Sequence, residues 1–328
     1  MMNTITIPLT LAPSITKAAS NQTYYTIRFL VDRERVADAY RAYAYFRWVD
    51  DTLDGNSSLS ATNAIDTCPG GRCQGAVARV SFLERQKSLL EKCYRGESIS
   101  NATLEEQMLI ELVKHDHEKN SGLQSYLRNM MHVMEFDARR RGRLISQAEL
   151  NEYTRWLATA VTEAMHYFIG HCCHSPHDET RYLAVSAAHI THMLRDTLDD
   201  VQAGYYNIPR EVLEANHIQP QDVQSKAYRA WVKSRVLLAR KYFQAGRRYL
   251  ARVENPRCRL AGLAYTARFE WLLDTIEREG YALRPEYSER KSLATGVRMG
   301  LSTLHALIDL HEGKTVHSPV ASSLLRER

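Results

Sequence analysis

Two stretches of the chain carry carboxylates and arginine at the spacing of a helical face. Residues 39–55 read AYRAYAYFRWVDDTLDG, and residues 187–209 read AAHITHMLRDTLDDVQAGYYNIP. Side chains three, four or seven positions apart lie on the same side of an α-helix. The polar side of the first stretch carries Tyr43, Arg47, Asp50, Asp51 and Asp54, and that of the second carries His189, His192, Asp196 and Asp200.

Each stretch contains an arginine followed by aspartates one helical turn apart. The first acidic ladder is defined as Asp50, Asp51 and Asp54, and the second acidic ladder as Asp196 and Asp200. Carboxylates at this spacing repel each other unless a cation lies between them. Mg²⁺ suits such a group, because it binds a few carboxylates and completes its shell with water and phosphate oxygens. Arg47 and Arg195 suit phosphate, since a guanidinium binds it with two parallel hydrogen bonds.

A solvated helix face is the alternative interpretation of either ladder taken alone, because charged stripes are common on surface helices. The pair is more specific. Two ladders that face each other across a deep, largely apolar cavity would hold Mg²⁺ together with a diphosphate, and the sequence predicts this arrangement.

The elements that would position these residues are helices throughout. Apolar residues recur with helical period along most of the chain, and no run alternates with the period of two expected of a strand. The prolines fall between the periodic segments. These patterns predict an all-α bundle. Its predicted helices span residues 33–54, 77–95, 103–116, 121–141, 147–170, 179–203, 222–252, 258–279 and 290–311.

The chain reads as one large domain, because no linker rich in Pro, Gly and Ser divides it into halves. We predict a flexible N-terminal arm over residues 1–20, a helical domain over residues 21–312 and a C-terminal tail over residues 313–328. A loop over residues 55–76 directly follows the first ladder. Long loops in such positions act as lids or remain exposed surface.

The composition is that of a globular protein, with 44% hydrophobic and 25% charged residues among 328. The net charge of +5 is mild, and no basic block interleaved with aromatic residues indicates a nucleic-acid partner. No run approaches the roughly 18 apolar residues of a membrane span. The start lacks the basic region of a signal peptide. Six irregularly spaced cysteines fit reduced thiols. We therefore predict a cytoplasmic protein with at most peripheral membrane contact.

The ordered set of motifs resembles the squalene/phytoene synthase family of isoprenyl diphosphate enzymes, of which the chain looks like a divergent member. The first stretch matches Y-x3-R-x2-D-[DE]-x2-D, and the second resembles Q-x2-N-x2-R-D-x3-D followed by G-R-x-Y-[LF]-P. Between them, Tyr153, Ala158 and Val161 match Y-x4-A-x2-V. The resemblance runs from about residue 24 to residue 304.

This resemblance implies an isoprenoid-synthase-like bundle around a central cavity and a Mg²⁺-dependent transferase of prenyl groups. An allylic diphosphate ionises when its leaving group is neutralised, and metal ions on both ladders would supply that neutralisation. Aromatic faces would shelter the resulting cation. The implied catalytic residues are Tyr43, Arg47, Tyr153, His189, His192 and Arg195. The implied substrate-binding residues are Tyr24, Phe46, Ala158, Val161 and Thr162.

The chain departs from the family pattern where a second isoprenoid chain would bind. His189 and His192 replace Gln and Asn, Thr159 and Thr162 replace glycines, and Tyr205 and Asn207 replace the Arg and Tyr of G-R-x-Y. Imidazole is a poor ligand for Mg²⁺ but a good general base near neutral pH. The altered positions therefore keep the ionising half of the site and change the coupling half.

Several functions stay open at this point. The family default is head-to-head coupling of two isoprenyl diphosphates to a squalene- or phytoene-like product. The alternative is prenyl transfer to a non-isoprenoid acceptor such as an aromatic ring, with His189 or His192 taking the proton. Activity would then fall below a pH of about 6.5. A terpene cyclase and a non-catalytic scaffold on the same fold are further alternatives, although intact ladders argue against a scaffold.

Overall fold

The structure, a computed structural model, describes residues 10–54, 72–171 and 173–287, with the side chains of residues 72–76 left out. These residues form α-helices and no strand, which confirms the all-α prediction. The helices are α1 (Leu11–Ala19), α2 (Asn21–Leu30), α3 (Val36–Leu53), α4 (Arg72–Tyr94), α5 (Leu104–Lys114), α6 (Gly122–Arg140), α7 (Gln147–Phe168), α8 (Leu183–Ala203), α9 (Arg210–Asn216), α10 (Lys226–Ala251) and α11 (Pro256–Arg278).

The predicted N-terminal arm differs from the structure over its second half, where α1 forms. Its Ala12 and Thr16 are buried, and α1 packs against α3. Helix α2 begins after Ser20, whose side chain accepts a hydrogen bond from the Thr23 amide at 3.2 Å. The predicted helix 290–311, the tail and most of the loop 55–76 lie outside the described residues.

The first of two compact units contains residues 1–139 and 159–173. Helix α3 lies in it between α1 and α5. The apolar side of α3 is buried, and its Tyr45 hydroxyl donates a 3.0 Å hydrogen bond to Gln86 of α4. Because this side is fixed by packing, the opposite side of α3, with Arg47 and the first ladder, is the more exposed one.

The second unit contains residues 140–158 and 174–328, and α8 is packed in it against α10 and α11. The closest approach is at Gly246 of α10. A Cβ there would lie 2.7 Å from the amide nitrogen of Ala184, so only glycine fits. Ser225 and Asn255 cap the first turns of α10 and α11 with their side-chain oxygens. The unit thus holds the helix of the second ladder by backbone-to-backbone contact.

Helix α8 ends at Gly204, whose φ of 86° lies in the left-handed region that favours glycine. The Tyr205 amide closes the end by donating to the Asp200 carbonyl at 2.7 Å. The Gly204 carbonyl accepts a 2.7 Å hydrogen bond from the amide of Gly142, just beyond α6. The chain after the second ladder is therefore anchored to the segment that starts at residue 140.

No helix among the described residues is long and apolar enough to cross a membrane. The prediction of one helical domain over residues 21–312 stays a prediction.

Candidate active site

The first ladder is held by Arg47 one turn before it on α3. The Arg47 Nε donates to Asp51 Oδ2 at 3.0 Å, and a second, shorter bond joins Nη2 to Asp51 Oδ1. Its Nη1 also reaches Asp50 Oδ2 at 3.3 Å. Asp50 and Asp51 are half-buried, while Asp54 at the C-terminal end of the helix is exposed. The arginine thus neutralises part of the ladder.

Asp50 has a raised pKa. Burial first, and then the charges of Asp54, Asp137 and Asp51, together raise it from 3.8 to about 6 against the opposing effect of Arg47. Asp137 comes from α6 and extends the ladder beyond α3. Such a group of like charges is relieved by protonation or by a bound cation.

The second ladder is arranged differently on α8. Arg195 makes a two-pronged ion pair with the neighbouring Asp196, at 2.5 and 2.6 Å. His192 Nε2 lies 3.1 Å from the other side of the same carboxylate group, at Oδ2. Asp200, one turn later, accepts a 2.6 Å hydrogen bond at Oδ2 from the amide nitrogen of Asn207. Each carboxylate of this ladder therefore has a donor that orients it.

His189 lies one turn before His192 but is buried, with 6% of its surface exposed. Its ring packs edge-to-face on Tyr153 of α7, with ring centres 5.0 Å apart. Neither ring nitrogen has a hydrogen-bond partner among the residues that the structure describes. Burial, together with His192 and Arg140, lowers the pKa of His189 to about 3, so the imidazole is neutral at physiological pH. A fall in activity near pH 6.5 is therefore not expected from His189.

A buried arginine lies beside the C-terminal end of α8. Arg140, 6% exposed, donates from Nη1 to Oδ1 of Asn207 at 2.7 Å. Its guanidinium carbon lies 5.0 Å from the ring centre of Tyr153 and 5.1 Å from that of Tyr205. Cation–π attraction from two rings stabilises a buried charge of this kind. Asn207 itself is 2% exposed, so it is a buried bridge between Arg140 and Asp200.

The remaining aromatic candidates lie in the first unit. Tyr43 is half-buried on the same side of α3 as Arg47. Phe46 is 4% exposed and packs edge-to-face on Tyr126 at 5.4 Å, so the structure places it in the core. Tyr24 is half-buried on α2, where its ring lies 5.4 Å from that of Tyr40. Their predicted roles toward a substrate stay predictions.

The three candidates on α7 differ in exposure. Ala158 is fully buried and Val161 is half-buried. Thr162 is 1% exposed, and its hydroxyl has no hydrogen-bond partner in the described part of the chain. An unpaired buried hydroxyl is unfavourable, which makes Thr162 the most informative of the three for mutation.

The side chains brought together are those within each ladder. Tyr43, Arg47 and the first ladder share one side of α3, whereas Tyr153 and His189 meet in the second unit beside Arg140. Sequence reasoning missed Asp137, Arg140 and Asn207 as site residues. The MEFDARRRGR segment and the altered G-R-x-Y motif contain all three, but neither shows which side chains meet.

The donor chemistry of the ladders fits Mg²⁺, although no three His, Cys, Asp or Glu side chains in the described part of the chain converge into a metal-binding group. Carboxylate oxygens are the protein ligands this ion prefers, and it takes only one or two beside phosphate and water. Burial and the neighbouring carboxylates raise the pKa of Asp50, so a cation bound at the first ladder would be stabilising.

The squalene/phytoene synthase family model matches residues 16–295. Among solved structures, the chain is similar to squalene synthase HpnC from Alicyclobacillus acidocaldarius, with 18% identity and a TM-score of 0.61 over 84% of this chain and 95% of that one. It is also similar to a dehydrosqualene synthase in complex with a ligand, with 16% identity and a TM-score of 0.66 over 93% of this chain and 96% of that one. No curated protein matches the sequence.

The fold and the arginine–aspartate helices define an isoprenoid-synthase-like transferase of prenyl groups. The chain belongs to the squalene/phytoene synthase family, which confirms the resemblance of its motifs. At the level of the family, the reaction is the head-to-head coupling of isoprenyl diphosphates, and ionisation of the diphosphate uses a divalent metal ion.

Proposed function

We propose that this protein is a Mg²⁺-dependent prenyltransferase that ionises an allylic isoprenyl diphosphate and joins the prenyl cation to a second isoprenyl diphosphate. The product is a squalene- or phytoene-like hydrocarbon. One observation carries the proposal: each acidic ladder is paired with an arginine of its own helix, and burial together with the neighbouring carboxylates raises the pKa of Asp50 to about 6.

The roles of the residues follow from their chemistry. Asp50 and Asp54 would hold Mg²⁺ at the first ladder, and Asp196 and Asp200 would hold it at the second, where the ion would neutralise charge on a leaving diphosphate. Arg47 and Arg195 orient the ladders and present guanidinium groups to phosphate. Tyr43 and Tyr153 offer aromatic faces that stabilise the prenyl cation until it reacts with the second isoprenyl diphosphate.

The deciding experiment incubates the protein with Mg²⁺ and dimethylallyl, geranyl, farnesyl or geranylgeranyl diphosphate, each alone. Diphosphate release is measured together with the mass of the organic product. We expect diphosphate release and a coupled hydrocarbon of twice the prenyl chain length, phytoene-like by loss of a proton, or squalene-like when a hydride donor such as NADPH is added to reduce the final cation. An excess of chelator should stop both. Diphosphate release without any coupled product would contradict the head-to-head proposal and leave only the ionisation step.

A second candidate is prenyl transfer to a non-isoprenoid acceptor, such as an aromatic ring. It rests on His189, whose ring nitrogens have no hydrogen-bond partner among the described residues; with a pKa of about 3, this imidazole is a weak base that takes a proton only from a strongly acidic carbocation intermediate. The same incubations with added aromatic acceptors distinguish the two. A prenylated acceptor that disappears in His189→Gln, while diphosphate release continues, would favour this candidate.

A further inference from the structure

We propose that Arg140 and Asn207 are positioning residues for Asp200, and that the affinity of the second ladder for Mg²⁺ depends on them. The Arg140 relay is defined as Arg140, Asn207 and Asp200 with the flanking rings of Tyr153 and Tyr205. The inference rests on the proposed function, because it assumes that Asp200 binds the metal.

The side-chain amide of Asn207 has one orientation. Its oxygen accepts from Arg140 Nη1 at 2.7 Å, and its nitrogen donates to Asp200 Oδ2 at 2.6 Å. A reversed amide would place a donor against the guanidinium and an acceptor against the carboxylate. Arg140 therefore determines which end of the amide faces Asp200.

The guanidinium of Arg140 is itself held in place by its neighbours. Its guanidinium lies about equally far from two aromatic rings, Tyr153 at 5.0 Å and Tyr205 at 5.1 Å. Backbone contacts hold the surrounding segment, since Gly142 bonds to Gly204 at 2.7 Å and Arg141 Nε donates to the Ala203 carbonyl at 3.1 Å. A rigid, buried guanidinium can orient the amide without loss of side-chain freedom on each binding event.

The segment that follows the second ladder departs from the family pattern at two positions. In the pattern G-R-x-Y-[LF]-P the chain has tyrosine in place of arginine at position 205 and asparagine in place of tyrosine at position 207. The structure shows a guanidinium against Tyr205 all the same, supplied by Arg140 from the end of α6. The two substitutions and Arg140 thus form one unit, in which Asn207 supplies the donor to Asp200.

Residues that hydrogen-bond to metal ligands typically change metal affinity about 10–100-fold when they are removed. Asn207→Leu deletes both hydrogen bonds and keeps the branched shape of the side chain. Asn207→Ser leaves a side chain too short to bridge Arg140 and Asp200, and it adds no charge. We expect both variants to bind Mg²⁺ at least about tenfold more weakly than the wild type.

The test is calorimetric titration of Mg²⁺ into the full chain, alone and with inorganic diphosphate, alongside circular dichroism to check helix content. Asn216→Leu is the matched control, because Asn216 is exposed and bonds only to the nearby Val212 carbonyl. A double-mutant cycle adds Arg140→Met. If the relay acts as a unit, the double variant Arg140→Met with Asn207→Leu binds Mg²⁺ no more weakly than either single variant.

Wild-type affinity in Asn207→Leu, or in Asn207→Ser, overturns the inference, and so does full additivity in the cycle. If Asn207→Leu does not fold, the smaller Asn207→Ser decides alone. Diphosphate release from an allylic substrate is measured separately in the wild type. A wild type that binds Mg²⁺ but releases no diphosphate would refute the proposed function while the affinities still decide the role of the relay.

Discussion

The buried imidazole of His189 makes the stability of the folded chain depend on pH in a defined direction. Burial lowers its pKa from 6.5 to about 3, whereas the unfolded chain exposes an ordinary histidine. Between these values the unfolded state binds a proton that the folded state does not. Stability therefore rises with pH across this window, and acidification below about 6.5 favours unfolding. Replacing His189 by Gln removes this one contribution.

The size of the effect follows from the pKa difference. About pH 5 is about 1.5 units below the pKa of the unfolded histidine, so this residue is protonated in the unfolded chain and still neutral in the folded one. The difference lowers the free energy of unfolding by about 2 kcal/mol. At about pH 7.5 the contribution is close to zero. Acidification between these two values should therefore cost the wild type about 2 kcal/mol more than His189→Gln. Other titrating groups are shared and cancel in this difference.

The assay is urea unfolding of both proteins at the two pH values, followed by circular dichroism. Using the pH dependence avoids comparing absolute stabilities, which the unpaired nitrogens of His189 also affect. His177→Gln is the control, since this histidine is exposed and should leave the pH dependence unchanged. Equal acid losses in the wild type and His189→Gln would refute the assignment of a buried, neutral imidazole.

Four further predictions concern the ladders and their support. Activity should fall as pH drops through about 6, because Asp50, a metal ligand with a raised pKa, becomes protonated there. In a profile of rate against pH, a higher Mg²⁺ concentration should move this fall to lower pH. The same raised pKa gives a stability contribution that is lost as pH rises through about 6, and Asp50→Asn should remove it from urea midpoints measured between about pH 4 and 7. Asp50→Ala and Asp196→Ala should each abolish diphosphate release and leave helix content unchanged; full turnover by either would refute the metal assignment. Gly246→Ala should lower the free energy of unfolding by about 1–3 kcal/mol, because its Cβ would lie 2.7 Å from the Ala184 nitrogen, and an unchanged urea midpoint would show that α8 and α10 separate easily.

Long helices with capping signals could be predicted from the sequence alone. Helix α5 begins where Thr103 and Glu106 form a capping box, and α8 ends at Gly204 as its pattern indicates. Short helices could not. Helices α1, α2 and α9 have seven to ten residues each, too few for a period to stand out, and they are stabilised mainly by packing.

The site was predictable only as far as one helix reaches. Residues of a ladder follow one another at fixed spacing, so a periodic pattern places them on one side. The bond between Arg140 and Asn207 joins residues 67 positions apart, and only tertiary packing creates such a meeting. The burial of His189 has the same origin, since its position beside Tyr153 depends on how α7 and α8 pack.

Helix α7 has a consequence for how the chain folds. It begins in one compact unit and ends in the other, with the change between residues 158 and 159. Neither unit is therefore a continuous piece of the chain, and neither can be produced by a single cut. During synthesis, residues 140–158 emerge before most of the segment that completes their unit. We expect folding to be completed only after the ribosome has released α11, and we expect a single cooperative unfolding transition rather than two.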